Sequence, residues 1–204
     1  MHFIQFKEQL KDFTVFSLAD IRMAERTFDL RRLSEWQEKG YIKKIVRGYY
    51  VFSDENLDEP GLYEIANRIY APSYISFETA LSYHGLIPET VFGVVSASTR
   101  KTSRFDADIG RFSYHTVARR AFFGYSVIQH ESRHFKIADI EKAIVDYVYL
   151  HSDLTKKNDF ESLRLNADIV HSKVDWKNVE TAAGKIGMTA LSKRLTELRR
   201  YLDA

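Results

Sequence analysis

Phe3, Phe6, Leu10 and Phe13 recur three or four residues apart, with Lys7, Glu8, Lys11 and Asp12 between them. That period puts the apolar residues on one side of a helix, so the chain is expected to open with an amphipathic helix. Ser17-Leu-Ala-Asp20 then matches a helix start. The serine hydroxyl can accept an unpaired first-turn N–H, and the aspartate suits the positive end of the helix. This second helix is expected to be short, with Leu18 and Ile21 facing in and an end between Met23 and Glu25. Thr27 or Asp29 is expected to cap a third helix running from Leu30 to Lys39, and Gly40 stands where a left-handed cap belongs. At 100° per residue, Leu30, Leu33, Trp36 and Gln37 share one side of that helix; Arg31, Arg32, Glu35 and Lys39 share the other. From Tyr41 to Phe52 the chain turns β-branched and aromatic, interrupted by Arg47-Gly48, which predicts a hairpin with glycine supplying the positive φ of a tight turn.

After Phe52 the run Ser53 to Glu59 is acidic and Pro60-Gly61 follows, which predicts a solvated linker and a domain boundary. Two domains are expected, at residues 1–53 and 61–204. Leu62, Ile65, Ala66 and Ile69 predict a short helix. Ser73 to Ser76 is extended, and Ser76 opens a helix ending at Gly85. Strands are expected at Phe92–Ser98, Phe112–Val117, Tyr125–Gln129 and Phe135–Ala138. A long helix follows, capped by Asp139 and burying Ile140, Ala143, Ile144, Tyr147 and Val148. From Asp159 the pattern is helical only, making residues 151–204 a helical end. One stripe carries Phe160, Leu163, Ala167 and Val170; a second helix, capped by Asp175, carries Trp176, Val179 and Ile186 to Gly187; a third stripe carries Leu191, Leu195, Leu198 and Leu202. The fold class expected is α+β: a winged helix-turn-helix followed by an α+β domain with a mostly antiparallel sheet and C-terminal helices.

Composition narrows the function. The 204 residues include 30 Lys or Arg against 28 Asp or Glu, so the chain is no polybasic coat and any basic surface must be local. The absence of cysteine excludes disulfides, thiolate metal sites and a cysteine nucleophile. No apolar run approaches the roughly 18 residues of a membrane helix, and the N-terminus lacks a signal-peptide pattern, so a cytoplasmic protein with no membrane contact is expected.

Local basic surface is offered first by the N-terminal module. Residues 1–52 hold ten Lys or Arg and seven Asp or Glu. Arg31 and Arg32 lie near the start of the third helix, where a recognition helix reaches base edges, and Lys43, Lys44 and Arg47 lie on the hairpin that follows, where a wing holds backbone. Arg22, Arg26, Thr27, Glu35 and Lys39 complete the candidate surface for double-stranded DNA. A second basic segment holds Arg100, Lys101, Arg104, Arg111, Arg119 and Arg120 against two acidic residues, with Phe105, Phe112, Tyr114 and His115 between them. It reads either as a further nucleic-acid patch or as a loop with a solvated charge run.

The order of a basic hairpin ending in Arg47-Gly-Tyr-Tyr-Val-Phe52, then PSYISFETALSYHGLIPE from Pro72, then a hairpin leading into FKIADIEKAIVDYVYL from Phe135, resembles the antitoxins of abortive-infection (AbiE-type, type IV) toxin–antitoxin systems. The likeness runs from Phe13 to Leu150 and is most distinctive at Ser73–Pro88 and Ala138–Leu150. It implies an N-terminal DNA-binding domain that represses the protein's own operon at its operator. It also implies a C-terminal domain that counteracts a nucleotidyltransferase-like toxin, in many members without a stable complex. A monomer or weak dimer is expected.

Two other readings stay open: a winged helix that docks protein or RNA, and a zinc hydrolase. The second rests on His130-Glu131-Ser-Arg-His134, which spells the H-E-x-x-H pattern of zinc peptidases. That chemistry needs both histidines on one face of a helix and a third ligand. Here the pentapeptide lies between strand-like segments, which predicts a polar hairpin loop instead. His84 is expected as a hydrogen-bonded histidine at a helix end, and Glu78 as a first-turn carboxylate. No catalytic residue, metal or cofactor is assigned.

Overall fold

The computed structural model describes residues 2–88 and 92–204. Glu89, the last residue of the stretch read from Pro72, lies outside them. Helix α1 (Phe3–Leu10) buries Phe6 and Leu10 and ends before Phe13, which still packs on the same cluster. Strand β1 (Phe16–Ser17), invisible in the sequence because it is two residues long, leads into α2 (Leu18–Ala24). Ser17 and Asp20 form the expected reciprocal cap: the Asp20 N–H donates to Ser17 Oγ at 3.3 Å and the Ser17 N–H to Asp20 Oδ2 at 2.7 Å. Helix α3 (Arg31–Glu38) buries Leu33 and Trp36. Leu30 stands at the cap rather than inside the helix and is exposed, which corrects its place on the apolar stripe. The cap comes from Asp29, whose Oδ1 accepts the Arg31 N–H at 3.0 Å; Thr27 is exposed and does not cap. Gly40, at φ +68°, closes the helix. The Tyr41 N–H reaches the Trp36 carbonyl at 2.8 Å and the Gly40 N–H reaches that of Gln37 at 2.9 Å, a paired pattern that only a left-handed residue permits.

Strands β2 (Ile42–Val46) and β3 (Tyr49–Phe52) form the expected hairpin around Arg47-Gly48, with Gly48 at φ +86°. With β1 they make an antiparallel sheet in the order β1-β3-β2. Phe6, Phe16, Phe28, Trp36 and Phe52 fill the space between sheet and helices, with Phe6 and Trp36 ring centres 4.7 Å apart and Phe16 and Phe52 at 4.8 Å. Close aromatic pairs of this kind each add about 0.5–1.5 kcal/mol beyond area burial.

Helix α4 (Glu59–Ile69), capped by Asp58, opens the remainder. A six-stranded sheet follows, ordered β6-β7-β5-β4-β9-β8, from β4 (Ser73–Ile75), β5 (Val94–Ser98), β6 (Ser103–Ala107), β7 (Gly110–Thr116), β8 (Tyr125–His130) and β9 (Arg133–Ala138). Three pairings are antiparallel and two, β4 with β9 and β5 with β7, are parallel. The sheet is therefore mixed, with an antiparallel majority. Strand β6 was not expected, since its charged alternation Ser-Arg-Phe-Asp-Ala reads as a solvated run. Helix α4 covers one face, where Tyr114 donates to the Ala66 carbonyl at 2.7 Å. Helices α5 (Phe77–Tyr83) and α6 (Ile140–Leu150) cover the other. The architecture is α+β.

Helix α6 is buried nearly all round, including Lys142 and Asp146, so Ile140 and Tyr147 are the less buried members of the predicted face. Ser76 and Asp139 occupy cap positions without capping: Ser76 Oγ donates to Asp146 at 2.8 Å, and Asp139 accepts from Ser126 at 2.6 Å. The stripe read from Phe160 to Val170 is broken at Arg164, φ +51°, into α7 (Lys157–Ser162) and α8 (Ala167–Lys173). Helix α9 (Trp176–Ile186), capped by Asp175 and closed by Gly187, and α10 (Thr189–Leu202) follow the pattern, with Leu191, Leu195, Leu198 and Leu202 all buried.

The acidic stretch 53–59 is not simply solvated. Arg133, on β9, donates to Glu55 at 3.1 Å, to the Asn56 carbonyl at 3.0 Å and to Asp58. Lys7 pairs with Asp54. Thr14 donates to Glu64 at 2.6 Å, and Arg68 pairs with Asp20 at 2.9 Å. Val15, Ile45 and Val51, on the outer face of the N-terminal sheet, join the core of the larger part.

Candidate functional site

The polar surface of the N-terminal module is built by three local devices. The Ser17–Asp20 cap sets the start of α2. The Asp29–Arg31 contact sets the start of α3. The Leu18 N–H donates to the Gly48 carbonyl at 3.1 Å and ties the hairpin turn to the first residue of α2. On α3 the apolar side packs inward through Leu33 and Trp36, while Arg31, Glu35 and Lys39, spaced by four, are exposed together. Arg32 is half-buried. The Arg31 side chain is 88% exposed and pairs with Asp29 at 3.0 Å. Those donors hold the Asp29 carboxyl below the ordinary carboxylate range. Arg22, in the last turn of α2, and Arg26 and Thr27, in the turn that follows, are exposed.

On the hairpin, Lys43 and Lys44 are adjacent and both exposed. They oppose Val51 and Tyr50 in regular register, so they stand on opposite faces of the ribbon, and the register to β3 shifts only after them, between Lys44 and Val46. Arg47 is exposed in the two-residue turn. The sequence-predicted residues thus share one module, with both helix and hairpin presenting cationic side chains outward.

The six residues of the second basic segment do not form one patch. Arg100 is committed, its guanidinium 4.0 Å above the Tyr70 ring and donating to the Ala71 carbonyl at 3.2 Å. Arg104 and Arg111 flank Asp106 at 3.2 Å and 2.8 Å, so part of their charge is offset. Lys101 is exposed where β6 begins, and Arg119 and Arg120 are exposed in a 3-10 turn just after β7. The segment is therefore a hairpin with structured ends and not a loop with a solvated charge run. Strand β6 lies beside β2 of the N-terminal module.

His130 ends β8 and pairs with Arg133; His134 pairs with Gln129. The two histidines therefore point to opposite faces of a hairpin, with Glu131 at φ +55° in its turn. The helical alignment that H-E-x-x-H chemistry requires is absent from this segment. The His84 Nε2–H donates to the Ala138 carbonyl, 2.8 Å away, the expected helix-end role. Glu78 lies 3.8 Å from His151, and His115 is close to both.

Sequence reasoning missed the network inside the larger part. Lys142 and Asp146 pair across one turn of α6, buried at 2% and 0% exposure. Tyr74 and Ser76 both donate to Asp146 Oδ2 at 2.8 Å, and the Lys142 ammonium donates to Tyr74 Oη at 2.8 Å. The i,i+4 spacing was visible, but it is also the commonest surface arrangement of opposite charges.

With the α+β class in place, comparison with known proteins adds a likeness of fold. No family model matches the chain. No curated protein sequence matches it either. Among solved structures, the crystal structure of the RV2827C protein from Mycobacterium tuberculosis is similar, with a TM-score of 0.61 over 97% of this chain and 77% of that one. The identity is 12%, so the likeness is one of fold.

Proposed function

We propose that residues 1–53 are a winged helix-turn-helix domain that binds the protein's own operator, and that the chain is the autoregulating antitoxin of a type IV toxin–antitoxin pair. The observation that carries the DNA half is the outward presentation of α3's polar face together with a basic hairpin tied to the start of α2. In this reading Arg31 and Arg32 enter the major groove, with Thr27, Glu35 and Lys39 along the same helix approach. Lys43, Lys44 and Arg47 hold backbone from the wing, and Arg22 and Arg26 hold further phosphates. The Arg31–Asp29 pair is exposed on both sides, so phosphate or guanine can take the guanidinium from Asp29 at little cost.

The antitoxin half, including residues 61–204 as the domain that counteracts a nucleotidyltransferase-like toxin, is supported by the resemblance at Ser73–Pro88 and Ala138–Leu150. These stretches supply β4 with α5 and the end of β9 with α6, which pair at Ile75 and Ile137 and share the Tyr74–Ser76–Lys142–Asp146 network. Their distinctiveness is thus a property of one packed core, and it speaks to fold more directly than to a surface.

The test is a mobility shift with the duplex upstream of the protein's own reading frame, at two salt concentrations. Specific binding is expected, weakening with log salt in proportion to the phosphates contacted. Arg31→Ala should cost about 1–3 kcal/mol and relax specificity at one position; Lys44→Ala should weaken all sequences alike and lower the salt slope by about one. Equal affinity for operator and unrelated duplex would reject the repressor reading. Rescue from a toxin gene adjoining the frame tests the antitoxin half separately.

A further inference from the structure

The two edges of the six-stranded sheet are treated differently. Edge strands present unpaired peptide groups, and natural proteins blunt them with charge, proline, bulges or a covering segment. Strand β6 carries Arg104 and Asp106 and has β2 beside it. Strand β8, Tyr-Ser-Val-Ile-Gln-His, has no Lys, Arg, Asp, Glu or Pro, and its register to β9 is unbroken over all six residues. Val127, at its centre, is 61% exposed.

The outward peptide groups of β8 can be assigned. The Asp139 N–H donates to the Gly124 carbonyl at 3.0 Å, one step before Tyr125 meets Ala138. Antiparallel ladders alternate, so Ser126, Ile128 and His130 bond β9 while the N–H and C=O groups of Tyr125, Val127 and Gln129 point off the sheet. Among the described residues, no other strand pairs with β8.

We propose that this edge pairs with β8 of a second copy, antiparallel and centred on Val127. Val127 then faces its counterpart and Tyr125 faces Gln129, so all three outward-pointing residues fall into hydrogen-bonded pairs and Val127 is covered. No like charges meet along the seam. The two-fold axis of such a pair is perpendicular to the sheet, because opposed side chains share a face. It therefore keeps equivalent faces on the same side. The N-terminal module stands over the α4 face, held by Thr14 to Glu64 and Asp20 to Arg68. Both modules accordingly emerge on one side of a continuous sheet, where a single duplex bearing an inverted repeat reaches both. This geometry selects a second copy over an unrelated strand, and to that extent it rests on the DNA-binding reading. Six residues per copy give an interface well below the roughly 800 Å² per partner of a standard one, so the dimer is weak.

Sedimentation of the full chain without DNA, from about 10 µM to about 1 mM, tests the pairing directly. Reversible dimerisation is expected, weakened about tenfold or more by Val127→Pro and by Val127→Lys. The Val127 N–H is not part of the β8–β9 ladder, so proline leaves that ladder intact; if the proline variant nevertheless misfolds, the lysine variant decides. A chain that stays monomeric throughout, or dimers undiminished in a folded variant, overturns the proposal. On DNA, Val127→Lys should keep affinity for a single half-site and lose cooperativity on two. Loss of half-site binding by the unaltered chain would instead reject the DNA reading and leave the pairing standing.

Discussion

Asp146 has no exposure to solvent, and both of its carboxylate oxygens receive donors from Tyr74, Ser76 and Lys142. Burial pushes its pKa up while Lys142 and the hydroxyls oppose the shift; burial likewise pulls Lys142 down against the pull of Asp146. Such a pair is expensive to break and cheap to replace whole. Asp146→Ala should cost about 3–5 kcal/mol by stranding a buried ammonium, whereas Lys142→Met combined with Asp146→Leu should cost far less. Thermal unfolding checks this, at roughly 2–4 °C per kcal/mol for a chain of this size. His115 gives a pH-dependent counterpart. Burial lowers its pKa from 6.5; Glu78 opposes that shift and His151 adds to it. The unfolded chain then binds a proton that the folded chain refuses, so stability contributed by neutral His115 is present above pH 6.5 and lost as pH falls below it. Urea midpoints should drop between pH 7.5 and 5.5, by less in His115→Gln; an equal drop in both would assign the effect elsewhere. Neither residue's role was legible in sequence. A Lys–Asp pair at four-residue spacing and a histidine beside a tyrosine look the same in a core as on a surface, and only the layers on either side decide.

At the scale of elements, legibility followed how local the determining contacts are. The Ser17 cap, the Gly40 terminus and the Arg47-Gly48 turn each depend on residues within five positions, and all formed as expected. Strand β6 and the parallel β5–β7 pairing depend on partners that hydrophobic period does not reveal. The 53–59 stretch shows the same limit: its acidity was plain, but the arginine that holds it lies some 75 residues on, inside a motif resembling a metal site. Arg133 is the residue that gives that stretch its shape. Gly61 makes room for it, since a Cβ there would come within 3.0 Å of the Arg133 guanidinium and 3.1 Å of Asp58 Oδ1. Arg133→Gln should therefore leave the helices and both sheets intact, by circular dichroism, and speed proteolytic cleavage between Ser53 and Asp58 several-fold, because local opening governs such cleavage. Unchanged cleavage would mean that Lys7 with Asp54 and the α4 cap suffice to hold the stretch. Gly61→Ala sets about 1 kcal/mol of helix propensity against displacement of the same guanidinium, and should move cleavage in the direction of Arg133→Gln.

For the whole molecule, the pattern of charge and hydropathy marked a division near Pro60, and the structure puts a hydrophobic contact across it. Phe6, Phe16, Phe28, Trp36 and Phe52 give the first 52 residues a core of their own, and the Ser17, Gly40 and Gly48 devices shape them without help from the remainder. Their outer sheet face is a different matter. Val15, Ile45 and Val51 are at most 6% exposed, and they are buried by residues beyond Pro60. Strand β3, Tyr-Tyr-Val-Phe, is apolar on both faces, the mark of a strand covered on both sides, but the sequence does not say what its second face meets. The consequence is an asymmetric dependence. Residues 1–53 expressed alone should fold around the aromatic cluster yet expose three adjoining apolar side chains, bind a hydrophobic dye and associate at micromolar concentration. Replacing Val15, Ile45 and Val51 by threonine should improve the fragment's solubility and at the same time destabilise the full chain, by roughly 1–3 kcal/mol for each buried hydroxyl left without a partner. A fragment that is monomeric and dye-silent without those changes would show that the contact is dispensable and that the module can swing free of the sheet. The opposite outcome makes the orientation of α3 and the hairpin a property of the whole chain, so that, on the proposed DNA-binding reading, substitutions at the contact should alter duplex affinity without touching a basic residue.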